Sequence, residues 1–76
     1  MEEEQLIKAI GVTVGLFPNE ITNLLTKNAI VVDAENLDTN QLVEATFSGL
    51  AKSVFFQEDF NKLFNNNEQL IMSNIK

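Results

Sequence analysis

Carboxylates and hydroxyls are the side chains of this 76-residue sequence that could do chemistry, because it contains no cysteine and no histidine. Asp33 with Glu35, and Glu58 with Asp59, are carboxylate pairs that could act as general acid and base or bind Mg²⁺. The first pair lies in a predicted turn that lacks the glycine and the remaining ligands of a calcium loop. We therefore expect both pairs to be surface or turn residues, with no metal and no other cofactor.

Serine is the other candidate for catalysis. Nucleophilic catalysis needs an activated nucleophile and a base that can take its proton. Ser48, Ser53 and Ser73 each lie at a predicted helical or capping position, without a base nearby in sequence. We therefore expect a protein that binds or holds another macromolecule, with no catalytic residues and no small-molecule substrate.

Two glycines four residues apart, Gly11 and Gly15, enclose a β-branched segment. The segment lacks the third glycine of a dinucleotide-binding fingerprint and the lysine of a phosphate-binding loop. If it is helical, both glycines lie on one face, where another backbone can approach closely. That backbone could belong to a partner chain or to another helix of the same domain, and the sequence favours neither.

The charge balance argues against nucleic acids and membranes as partners. Eleven acidic residues and five basic residues give a net charge of −6, and the basic residues are all lysines spread singly along the sequence. Nucleic-acid and anionic membrane surfaces require clustered cations. No apolar stretch is long enough to span a bilayer, and Met-Glu-Glu-Glu is the reverse of a basic signal-peptide start. We expect cytoplasmic synthesis, no secretion by a signal peptide, and protein partners.

The spacing of apolar residues predicts one all-α domain over residues 1–76, a bundle of four or five short helices around one small core. A brief extended segment is expected near residues 30–32, where β-branched residues cluster. Residues 11–16 could be helix or strand, because β-branched residues and glycines both disfavour a helix there. The predicted helices run from Glu2 to about Leu16, from Pro18 to Asn28, from an Asp38 or Thr39 cap to Lys52, from Val54 to Phe64 behind a Ser53 cap, and onward from an Asn66 cap.

Three helical features depend on individual residues. Asp38 with Gln41 three positions later forms a variant of the capping box that starts the third helix. Gly49 is the weak point of that helix, because glycine is a poor helix former. In the first helix, Leu6, Ile10, Val14 and Phe17 mark the expected apolar face.

Some apolar residues exceed what a small core requires. Phe55 lies about 100° from Phe56 on an ideal helix, so it either closes the corner between the third and fourth helices, which the pattern favours, or forms an exposed anchor. The apolar residues near the carboxyl end could be core or interface. The candidate interface residues are Gly11, Gly15, Phe17, Phe55, Leu70, Ile71, Met72 and Ile75.

The segment from Asn19 to Leu50 contains Leu24-Leu25-Thr26-Lys27-Asn28, then Ile30-Val31-Val32, an acidic and Asn-rich loop, and Thr39-Asn40-Gln41-Leu42-Val43. This order resembles the helix-extended-loop-helix, or LEM/SAP-like, modules of bacterial and phage proteins. The resemblance implies a docking unit, for protein in the LEM type and for DNA in the SAP type. The sequence lacks the basic residues of the DNA-binding type and has Asn28-Ala29 where such modules often carry glycine. The resemblance therefore favours protein docking.

Two functional hypotheses follow from the sequence. The first is a structural or protein–protein interaction module, a small accessory component of a larger assembly such as a phage virion, in contact with copies of itself or with other subunits. The second is an acidic regulatory binder that mimics nucleic acid and occupies a basic site on another protein. The second hypothesis requires binding that weakens steeply with salt.

Overall fold

The computed structural model describes residues 3–30 and 38–75, and within these ranges it confirms an all-α fold without strands. The segment at 11–16 is helical. Of the predicted extended segment, Ile30 lies outside any helix, and residues 31–32 lie outside the described residues. The helices are α1 (Glu3–Leu16), α2 (Pro18–Lys27), α3 (Thr39–Lys52), α4 (Val54–Asn66) and α5 (Glu68–Ser73).

Helix α1 buries a face that is only partly the predicted one. Its first turn carries acidic residues, which complement the positive end of the helix dipole. Ile10 and Val14 are buried as expected, but Leu6 is 43% exposed. The buried face is instead completed by Ala9 and by Thr13, whose hydroxyl donates to the Ala9 carbonyl at 2.7 Å. A polar residue is therefore tolerated in the core because its hydrogen bond is made within the helix.

Pro18 ends α1 and starts α2. Phe17 leaves the helical conformation, with φ −129° and ψ 54°, and its carbonyl accepts the Ile21 N–H at 3.0 Å. Proline suits this first helical position because its missing N–H would have no helical partner there.

Helix α2 ends in a Schellman motif whose left-handed residue is an alanine. Ala29 has φ 59°, the only positive φ among the described non-glycine residues. The Ile30 N–H donates to the Leu25 carbonyl at 2.9 Å, and the Ala29 N–H donates to the Thr26 carbonyl at 3.1 Å. Glycine usually occupies this position, because a Cβ makes the left-handed conformation unfavourable.

The predicted caps of α3 and α4 are confirmed. The Gln41 N–H donates to the Asp38 carboxylate at 2.8 Å, and the Asp38 N–H donates to the Gln41 side chain at 3.3 Å, which completes the capping box. Ser53 ends α3 and starts α4, where its hydroxyl accepts the Phe56 N–H at 3.1 Å. One serine thus sets the corner between the two helices.

The predicted start of the last helix is wrong by one residue. Helix α4 continues to Asn66, and Asn67 precedes α5 without making a side-chain capping bond. Its amide instead donates to the Leu63 carbonyl at 2.9 Å. The side chain therefore satisfies the carboxyl end of α4 rather than the amino end of α5.

The core is drawn from the first four helices, and α5 adds the fully buried Ile71. Helix α3 packs against α1, α2 and α4, and α5 packs against α1 and α4. The central cluster consists of Ile10, Val14, Ile21, Leu25, Leu42, Phe56 and Phe60.

Gly49 is the point of closest approach in this core. A Cβ added at Gly49 would lie 2.7 Å from Ile30 Cδ1 and 2.8 Å from Phe56 Cδ2. Both distances are shorter than real Cβ contacts, so only glycine lets these two side chains reach the backbone of α3. The residue that weakens α3 as an isolated helix is therefore the one that its packing requires.

Replacing Ala29 by glycine should raise the free energy of unfolding by about 1 kcal/mol, because the left-handed conformation costs alanine roughly that much. The matched control is Ala51→Gly, at an exposed position in α3, which should lower stability through its weaker helix propensity. Urea unfolding followed by circular dichroism would measure both variants. A destabilised Ala29→Gly variant would contradict the assignment of strain to this residue.

Gly49→Ala should lower the free energy of unfolding by about 1–3 kcal/mol, because overpacking outweighs the gain in helix propensity. Gly11→Ala is the control, since an added Cβ there meets no described atom within 4 Å, and it should raise stability by up to about 1 kcal/mol. The same urea experiment compares them. Equal effects at the two glycines would refute the packing role of Gly49.

Candidate interaction surface

Two large apolar side chains project into solvent at the corner between α3 and α4. Phe55 is 74% exposed and Val54 is 65% exposed, and both lie in the first turn of α4. The Ser53 cap fixes this turn so that Phe56 enters the core with no exposed area. The expectation that Phe55 closes the corner is therefore wrong, because Phe56 fills that place and leaves Phe55 outside.

The two glycines of α1 lie away from the core. Gly15 is exposed, Gly11 is half-buried, and a Cβ added at either would meet no described atom within 4 Å. Within the described residues, close packing against another helix of the domain therefore does not explain this pair. The neighbouring Leu16 is 40% exposed, while Phe17 is half-buried at the cap of α2.

Helix α5 divides the carboxyl-terminal candidates between core and surface. Ile71 is fully buried and is therefore part of the core, so it offers no exposed surface. Leu70 is 49% exposed and Met72 is 40% exposed, about 100° to either side of Ile71. Ile75, beyond the end of α5, is half-buried.

A small apolar cleft lies between α1 and α4. Its volume is about 160 Å³, and its walls are Leu6 and Ala9 from α1 and Phe60, Asn61 and Phe64 from α4. Sequence reasoning missed this cleft. Its only signals in the sequence were the start of the apolar face of α1, at Leu6, and the long run of apolar residues along one face of α4. The gap between the two helices depends on tertiary packing.

The hydroxyl of Ser73 and the amide of Asn74, next to the carboxyl-terminal candidate residues, have structural roles. The Ser73 hydroxyl donates to the Leu70 carbonyl at 2.9 Å, and the Asn74 amide donates to the same carbonyl at 2.8 Å. A second, polar hollow is lined by consecutive residues 65–70 at the junction of α4 and α5. Within the described ranges, no three acidic side chains are grouped closely enough to hold a metal ion.

Asp59 joins α4 to the end of α2. Its carboxylate lies 3.4 Å from the Lys27 ammonium and accepts a hydrogen bond of 3.3 Å from the Asn28 amide. The Asn28 hydrogen bond, supported by the charges of Lys27 and Lys62, lowers the pKa of Asp59 even though partial burial opposes this. One member of the Glu58–Asp59 pair is therefore a structural residue, and its neighbour is exposed.

Comparison with known proteins identifies no relative of this chain. No protein-family model matches it, no curated protein matches it significantly, and no solved structure matches it significantly. In the part of the chain that the structure describes, no helix has the length and apolar character needed to cross a membrane.

Asp59→Asn should remove stability that depends on pH. The lowered pKa of Asp59 means that its carboxylate stabilises the fold above the unfolded-state pKa, and that this contribution disappears as the pH falls through the folded-state value. The difference in unfolding free energy between wild type and Asp59→Asn should therefore be largest near neutral pH and shrink toward pH 3.

The matched control is Glu58→Gln, which removes an adjacent exposed carboxylate and should leave stability nearly unchanged. Urea titrations of the three proteins at several pH values provide the measurement. A difference between wild type and Asp59→Asn that does not vary with pH would count against the ion pair and hydrogen bond as its source.

Proposed function

We propose that this protein is a non-catalytic protein–protein interaction module that acts as a small accessory component of a larger assembly. The observation that carries the proposal is the exposed pair Val54 and Phe55 at the corner between α3 and α4. Large aromatic side chains contribute disproportionately to protein interfaces, because burying them removes much apolar surface from water.

The packing of the core supports the proposal that Val54 and Phe55 contact another molecule. Phe56 fills the corner beneath the exposed pair, and no described buried side-chain polar atom lacks a hydrogen-bond partner. The domain thus completes its own core without Phe55. The adjacent exposed side chains of Val54 and Phe55 offer apolar surface that contact with another molecule would bury.

Other surfaces are suited to further contacts in an assembly. The outward glycines of α1 leave space for a close backbone approach, and Leu70 and Met72 extend the apolar surface of α5. The virion context and the resemblance to protein-docking modules stay predictions from the sequence. They are consistent with a subunit that contacts several neighbours.

An acidic regulatory binder is the second candidate, because the described glutamates are all exposed and contribute directly to a surface of net charge −6. The two candidates differ in the force that drives binding. Apolar anchors bury surface area and resist salt, whereas binding between exposed opposite charges is screened by salt. Measurements at low and high ionic strength therefore separate them.

The molar mass of the wild type should rise with concentration and should not fall at high salt, because an apolar contact has to overcome repulsion between copies of the same negative charge. Phe55→Ala should weaken this association by about 30-fold, the factor expected for an aromatic residue worth roughly 2 kcal/mol. Light scattering with refractive-index detection suits a chain without tryptophan or tyrosine.

Ile7→Ala is the control for this measurement, since it removes an apolar side chain of α1 that is 47% exposed and lies outside the proposed contact surfaces, and it should associate like the wild type. The wild type could instead have the mass of one chain at every concentration and at both salt levels. That result would exclude self-contact as the basis of the assembly. Circular dichroism of each variant establishes that the fold is retained.

A further inference from the structure

The exposed phenylalanine and the small cleft lie on the same molecule, and we infer that each fits the other on a neighbouring copy. In this arrangement Phe55 of one chain enters the cleft between α1 and α4 of a second copy, so that copies join head to tail. The inference rests on the proposed function and names its partner as the chain itself.

The cleft matches a phenyl ring in size and chemistry. Its volume of about 160 Å³ is close to that of the roughly 150 Å³ apolar cavities that bind benzene. Leu6, Ala9, Phe60 and Phe64 provide an apolar lining, and Asn61 is the single polar wall residue. A buried ring would gain dispersion contacts with the two phenylalanines of the cleft.

The positions on α4 exclude a contact within one chain. Phe55 and Phe64 are nine residues apart, which places them about 180° apart around an ideal helix and about 13.5 Å apart along it. The phenylalanine and the cleft thus face opposite sides of α4. A contact between two unlike surfaces leaves one free phenylalanine and one free cleft, so it propagates into a ring or an open chain.

One pair of charges beside the two surfaces is complementary. Lys52 lies three residues before Phe55, at the end of α3. Beside the cleft, Glu3 lies one helical turn before Leu6. An orientation that brings Lys52 of one copy to Glu3 of the next places opposite charges together.

The helix dipole of α4 adds to this complementarity. Phe55 lies at the amino-terminal, positive end of α4, and the last turn of α4 beside the cleft carries no basic residue. Head-to-tail contact therefore brings the positive end of one α4 toward the negative half of the next. This arrangement favours a second copy of the chain over a partner whose charges do not match those beside Phe55 and the cleft.

Mixing two complementary variants tests the inference. Phe55→Ala removes the phenylalanine and keeps the cleft, whereas Asn61→Arg places a long charged side chain at the mouth of the cleft and keeps Phe55. Each variant alone should remain a single chain at concentrations where the wild type associates. An equimolar mixture should form a species with the mass of two chains and nothing larger, because only one productive contact is left.

Two matched controls accompany the mixture. Asn23→Arg introduces the same charge change at an exposed position of α2 and should associate like the wild type. Ile7→Ala controls for loss of exposed apolar area. Sedimentation velocity with interference optics measures all masses, and circular dichroism establishes that each variant is folded. If Asn61→Arg is unfolded, Asn61→Trp replaces it, because tryptophan covers the cleft with a neutral side chain.

The outcomes separate this inference from the function on which it rests. Wild-type association that Asn61→Arg leaves unchanged, or a mixture that stays monomeric, would overturn the head-to-tail contact and leave the assembly proposal standing. A wild type that never associates would remove both the head-to-tail contact and self-contact as the basis of the assembly. Dimers confined to the mixture would establish that Phe55 and the cleft meet on different chains.

Discussion

The packing of Ile30 and Phe56 onto the backbone of α3 at Gly49 organises the core. It brings the segment after α2 and the first turn of α4 to the same point on α3. The left-handed Ala29 directs Ile30 to this point, and the Ser53 cap directs Phe56 to it. Because Phe56 is committed to the core there, its neighbour Phe55 faces solvent.

The exposed surface is thus a consequence of how the core is built. Asp59 reinforces the same arrangement by tying α4 to the end of α2 through Lys27 and Asn28. Helices α1 and α4, by contrast, meet across a cleft rather than in close packing. In a chain of this size, where cores are small, such a gap costs dispersion contacts that a neighbouring molecule could restore.

Local signals in the sequence were sufficient to predict most helix boundaries. The boundary at Pro18, the capping box of Asp38 with Gln41 and the Ser53 cap each depend on residues within one helical turn, so they can be predicted without tertiary structure. The last helix was predicted one residue early, from an Asn66 cap, because an asparagine can bond either to the helix before it or to the helix after it, as the Asn67 amide does with the Leu63 carbonyl.

Features that depend on contacts between helices could not be predicted in this way. The fit of Gly49 against Ile30 and Phe56 joins residues that are distant in sequence, and a glycine in a helix first suggests weakness rather than close packing. The division of α5 into a buried Ile71 and an exposed Leu70 likewise required the position of α1. The cleft was missed for the same reason, since its two walls come from α1 and α4, which are distant in sequence.

In the proposed assembly, Phe55 is a contact residue and not a part of the core. Amide spectra of the isotopically labelled protein, recorded from micromolar to millimolar concentration, would detect this contact residue by residue. We expect signals from the first turn of α4 and from the cleft residues Leu6 and Asn61 to shift together with concentration, while those of Ile21 in the core stay fixed. Spectra that do not change with concentration would mean that Phe55 makes no contact between copies.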